Sequence, residues 1–117
     1  MTNEPATLPM PPIVIEPHEW RELAAILRKY APNRRVLAFG SRATGHRVRR
    51  FSDLDLVIDG DALSLHEAAK LDEALDESRL PFKVDVAQMA WLTPEFRKSI
   101  EPELILLQEP EPLRHVS

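Results

Sequence analysis

The chain contains no cysteine, which removes disulfides and thiolate zinc sites from consideration and fits a reducing compartment. No apolar run approaches the roughly 20 residues that cross a bilayer, and the first residues carry neither the basic start nor the apolar stretch of a secretory signal. A cytoplasmic location without membrane attachment is expected. Positive charge is in the minority: 15 Lys and Arg against 19 Asp and Glu give a net charge of −4. That balance argues against general nucleic-acid binding through the overall field. The histidines, His18, His46, His66 and His115, are scattered without ligand spacing and read as surface residues. There is no internal repeat, and the only biased tract is the proline-rich start.

What is present is a chain of 117 residues, 44% hydrophobic and 29% charged, the size and composition of one small globular domain. Pro5, Pro9, Pro11, Pro12 and Pro17 remove backbone donors and block helix. Residues 1–17 are therefore expected to form an extended arm with little chemistry. A domain over 18–108 and a flexible tail over 109–117 complete the expected organisation. Leu23, Ala24, Ile26, Leu27 and Tyr30 follow helical spacing from His18 to Tyr30, with Glu19 and Glu22 early and Arg28 and Lys29 late, as the helix dipole favours. Val36 to Phe39 reads as a strand running into Gly40 and Ser41.

Beyond a basic loop with His46, Arg47, Arg49 and Arg50, the residues Leu54, Leu56 and Ile58 alternate with Asp53, Asp55 and Val57, the period of a half-buried strand. Ala62 to Ser78 reads as an amphipathic helix marked by Leu65, Ala68, Leu71, Asp72 and Leu75. Phe82 to Ala87 is a third strand, with Val84 and Val86 inward and Asp85 outward. Thr93 and Pro94 open a short helix, and Leu104 to Leu107 is an apolar patch compatible with helix or edge strand. The fold class is α/β (α+β): a small mixed sheet of three or four strands, helices packed on one face and the acids along the other.

Three features carry chemistry. Asp53 and Asp55, at i and i+2, point to the same side of their strand, and carboxylates are costly there without a partner such as a cation. Asp85 stands on the matching side of its own strand, so three oxygen-donor acids can share one face. Such a set, with no His or Cys, suits magnesium or manganese. Gly40 and Ser41 follow a strand directly, where glycine permits close approach and free N–H groups can meet phosphate oxygens. This is neither a Walker loop nor a dinucleotide fingerprint, because the following Lys-Ser/Thr and the third glycine are missing.

In order, FGSRATG, then SDLDLVID, then KVDV closely resemble the minimal nucleotidyltransferase (MNT) domains of the DNA polymerase β-like superfamily, from about the first helix to Phe96. The resemblance implies a nucleotidyltransferase fold in which Gly40 and Ser41 bind a nucleoside triphosphate and Asp53, Asp55 and Asp85 hold the catalytic metal ions. It implies two-metal catalysis with Mg2+ or Mn2+, in which a hydroxyl attacks the α-phosphate of ATP and pyrophosphate leaves. Arg42, inside the matched motif, is expected to reach the β- or γ-phosphate. Arg47, Arg49 and Arg50 are candidates for that role or for partner contact.

Small proteins of this kind resemble the antitoxin of a toxin–antitoxin pair whose partner is an all-helical HEPN ribonuclease. On that resemblance the chain is an adenylyltransferase that neutralises the toxin by transferring AMP to a hydroxyl, a tyrosine in first place, and it forms a homodimer or a hetero-oligomer. Two other readings stand beside it: an antitoxin that masks its partner without catalysis, and nucleotidyl transfer to a small molecule or a tRNA end.

Overall fold

The computed structural model describes residues 9–111, so the expectations for residues 1–8 and for the tail beyond 111 lie outside the described residues. Helix α1 spans Pro17–Tyr30, with proline at its first turn, where a missing N–H costs nothing, and the Glu19 carboxylate accepting the Glu16 N–H at 2.9 Å. Strand β1 (Arg35–Phe39) leads into the single turn of α2 (Ser41–Thr44), which Gly45 ends in the left-handed conformation. Strand β2 is Leu54–Asp59 and helix α3 is Leu65–Asp76. The start of α3 is set by Ser64, which accepts from the Glu67 N–H while Glu67 accepts from the Ser64 N–H. Strand β3 (Val84–Gln88), helix α4 (Pro94–Ile100) and strand β4 (Ile105–Gln108) complete the chain.

The four strands form one sheet in the order β3-β2-β1-β4. β1 is antiparallel to both β2 and β4, whereas β2 and β3 run parallel, joined by the α3 crossover. The apolar patch near residue 105 is thus an edge strand. Its last residue, Gln108, is buried and donates from Nε2 to the carbonyls of Ala31 and Arg34, which ties β4 to the end of α1. A helix there would leave the β1 edge uncovered.

Trp20, Leu23 and Leu27 of α1 and Leu71 and Leu75 of α3 share one core with Val36, Ala38, Leu54, Leu56 and Ile58 of the sheet. Each fully buried side chain of this kind contributes roughly 1.5–3 kcal/mol. The two long helices therefore cover one face. The opposite face is not simply polar, since Val57 is completely buried there and Phe96 of α4 meets Phe39 of β1 edge to face, ring centroids 6.0 Å apart. Leu65, expected in the apolar stripe of α3, is 84% exposed. The Ser64 cap places it at the first helical position, ahead of the turn that meets the sheet.

The proline-rich arm is also more than a spacer. Pro11, Ile13 and Ile15 are buried on alternate positions, and the two isoleucines belong to the main core. The Val14 N–H donates to the Arg42 carbonyl at 2.8 Å, and the Arg42 guanidinium donates back to the Val14 carbonyl at 2.8 Å. Proline content removes helix as an option, but it leaves an extended segment free to bury every second residue.

Candidate active site

β1 ends where β2, β3 and β4 begin, so four chain termini of the sheet converge at one edge of the molecule. Asp55 faces Phe39 of β1 on one side and Asp85 of β3 on the other, in register. Leu54 and Leu56 point into the core, so Asp55 and Asp85 lie on the opposite face, the one away from α1 and α3. Asp53 stands just before β2 and is exposed, whereas Asp55 and Asp85 are half-buried.

Burial first, and then the charges of Asp85, Asp53 and Glu103, push the Asp55 carboxyl above the ordinary aspartate value. Asp53 and Asp85 therefore both lie within electrostatic reach of Asp55. They do not form a closed cage, however: among the described residues no group of three acidic or histidine side chains is gathered tightly enough to hold a metal ion. Like charges keep their distance, and hard cations complete their shells with water and phosphate oxygens. The donor set suits a divalent cation, because a carboxylate raised by burial and by three acidic neighbours is relieved by positive charge placed beside them. Lys83 Nζ lies 3.4 Å from Asp85 Oδ1, but the lysine is well exposed and the half-buried aspartate still meets solvent, so the pair is screened.

Gly40 forms the joint between this acidic edge and α2. Its backbone, φ 81° and ψ −162°, lies in a region essentially reserved for glycine. A β-carbon at this position would collide with the Asp55 carboxylate. Glycine is thus required both by the turn and by how closely the turn approaches the acid. The carbonyl of Gly40 accepts the N–H groups of Ala43 and Thr44 at 3.1 and 3.0 Å, which closes α2 immediately beside Asp55. The first N–H groups of a helix have no acceptor within it, so Ser41 and Arg42 offer theirs at the start of this turn.

The Arg42 side chain requires a correction. Expected at the phosphates, it is instead only 5% exposed and donates to three main-chain carbonyls: Val14 and Ser52 at 2.8 Å and Arg50 at 3.1 Å. The guanidinium carbon also stacks 4.1 Å from the centre of the Phe82 ring. Its planar fork suits three converging carbonyls better than any other side chain would. Arg42 therefore fixes the basic loop against the arm and sets the path of the chain into Asp53. Held in this way, the loop turns through Arg47, which has a left-handed φ of 59°, and leaves Arg47, Arg49, Arg50 and Phe51 exposed.

Residues 21–111 match the polymerase β nucleotidyltransferase family. The chain belongs to that family. A relative described as a probable protein adenylyltransferase MntA, from Haemophilus influenzae, is 36% identical over 98 residues, covering 83% of this chain and 85% of that protein. The nucleotidyltransferase is also similar in fold to a chain in a crystal structure of a toxin–antitoxin with AMP-PNP, with TM-score 0.62 and 21% identity, covering 79% of this chain and 74% of that one. A mutant of the toxin–antitoxin MntA-HpeT gives TM-score 0.61 and 19% identity over the same shares. Membership of the family brings a nucleotide substrate and a divalent metal in general. No helix among the described residues is long and apolar enough to cross a membrane.

Sequence reasoning missed Glu103, whose Oε1 accepts the Gly40 N–H at 2.9 Å. Nothing in the local sequence marks it, because a glutamate before an apolar run is an ordinary way to enter a strand. Only the pairing of β4 with β1 brings it to the turn.

Proposed function

We propose that this nucleotidyltransferase transfers AMP from ATP to a hydroxyl of a protein partner, a HEPN-family toxin, and thereby neutralises it. The observation that carries the reading is the 36% identity to the relative described as a probable protein adenylyltransferase, over 83% of the chain. The apposition of the Gly40 turn and the Asp55–Asp85 pair supports it. In this reading Gly40 and Ser41 bind the triphosphate through main-chain N–H groups and the Ser41 hydroxyl. Asp53, Asp55 and Asp85 hold Mg2+, which when bound stabilises the charge developing on the attacking and leaving oxygens.

The acceptor oxygen forms a bond to the α-phosphorus, the bond from that phosphorus to the bridging oxygen breaks, and pyrophosphate departs with the electron pair. Asp85, on the edge strand β3, is open to an incoming acceptor and favours release of the hydroxyl proton on that side. Arg42 acts at a distance from the chemistry by fixing the approach to Asp53. The adduct adds bulk and negative charge to the acceptor, which obstructs RNA at a ribonuclease site.

The test is the intact mass of a helical HEPN-family protein, taken from the neighbouring gene where one is encoded there, after incubation with the chain, ATP and magnesium. The expected result is a gain in steps of one AMP with the native chain and none with Asp53→Ala combined with Asp55→Ala. Stable complex formation by both versions without any gain in mass would refute transfer to that partner and establish masking.

A further inference from the structure

The contact between Gly40 and Glu103 joins residues 63 apart in sequence, and it places a carboxylate on the turn that the nucleotide reading assigns to phosphate. Glu103 is half-buried and is one of the charges that raise the Asp55 carboxyl. It therefore stands as a fourth acid beside Asp53, Asp55 and Asp85. Among the described residues no lysine or arginine forms an ion pair with it; the cations near acids elsewhere serve Glu111, Glu109 and Asp85. The Gly40 N–H is its hydrogen-bond partner. Without a cation to compensate it, a carboxylate in acidic surroundings is held by little else.

A carboxylate and a phosphate oxygen are both anionic acceptors that make the same charge-assisted bond to a main-chain N–H. One N–H cannot serve both at full strength, and an anion left beside a seated polyphosphate repels it. We propose that Glu103 is a built-in competitor for the polyphosphate of the nucleotide: in the free chain it fills the Gly40 N–H, and it swings aside when the nucleotide seats. Leaving costs it one hydrogen bond and no ion pair. The short 3-10 turn that carries it, Glu101–Glu103, is connected to β4 through Leu104 alone, so the side chain can move without disturbing the sheet. The consequence is a nucleotide affinity held below what the turn and the metal acids would give by themselves.

This inference rests on the reading that Gly40 and Ser41 bind the triphosphate, and its test separates the two. The full chain, Glu103→Gln and Glu103→Ala are titrated with AMP-PNP and with inorganic triphosphate, each in magnesium, and their thermal midpoints are recorded. Glutamine keeps a neutral acceptor for the Gly40 N–H and removes the charge; alanine removes both. The expected result is binding about tenfold tighter in the glutamine variant and at least as tight in the alanine variant, for both ligands, with the glutamine variant melting close to the native chain. Native binding with equal or weaker binding in both variants would overturn the competition and leave Glu103 as a residue that holds the turn. Failure of all three proteins to bind either ligand would overturn the nucleotide-site reading, and the competition with it.

Discussion

Gly40→Ala strikes two structural requirements with a single methyl group. The backbone at this position, φ 81° and ψ −162°, costs a side-chain-bearing residue about 1–3 kcal/mol. For a domain of this size each kcal/mol lowers the melting midpoint by about 4–8 °C, so a loss between about 4 and 24 °C follows from the backbone alone. The added β-carbon also meets the Asp55 carboxylate, which must rotate away. A displacement of about 1 Å in a reacting constellation costs about a hundredfold in rate, so AMP transfer falls further than stability does. The two costs separate in an Asp55→Ala background, where the backbone strain persists and the collision is gone. Midpoints of the four proteins in the cycle then give the carboxylate contribution as the difference between the two Gly40→Ala penalties. A Gly40→Ala protein with native midpoint and native transfer rate would refute the reasoning. Equal penalties in both backgrounds would remove the collision from the account and leave only strain.

Arg42→Ala leaves the carbonyls of Val14, Arg50 and Ser52 without their donor, at about 1–3 kcal/mol for each group that stays buried. A loss of at least about 3 kcal/mol in urea unfolding is expected, and a loss below about 1 kcal/mol would contradict the role as a structural clamp. Asp55 titrates above the ordinary aspartate value, so the folded chain keeps a proton that the unfolded chain has released, and stability falls as pH rises from about 4 through the raised folded value. Asp55→Asn removes that penalty: in the presence of a chelator it melts above the native chain at neutral pH, and the advantage disappears near pH 4. Melting below the native chain at neutral pH would mean that the carboxylate makes stabilising contacts outweighing its desolvation and repulsion.

The sequence supplied most of the fold because its helices and strands announce themselves by period. Leu23 and Leu27, Leu71 and Leu75, and the alternation through Leu54, Leu56 and Ile58 are buried as their spacing requires. Thr93 caps α4 by accepting the Phe96 N–H, as its position before Pro94 predicts. Gly40 and Asp55 meet because strand register is dictated by which side chains must be buried. What escaped was set by long-range pairing. Its place in the matched motif points Arg42 to a phosphate, yet the arm and the basic loop close over it. Glu103 reaches the turn only through the β1–β4 pairing. Val57 follows the alternation to the polar side and is buried there all the same, because that face has a small apolar cover of its own.

The reciprocal bonds between Val14 and Arg42 have a practical corollary. The stretch that carries family likeness begins at residue 21, whereas Ile13 and Ile15 are built into the interior and Val14 grips the turn that carries Ser41. The border drawn by likeness therefore falls inside the folding unit. A fragment trimmed to that border would keep Asp53, Asp55, Asp85, Gly40 and Ser41 and still lose a wall of its interior and the strut behind its turn. Such a fragment makes a poor benchmark for the intact chain, and anything fused ahead of Pro11 is best joined through a spacer that leaves residues 11–15 free to dock.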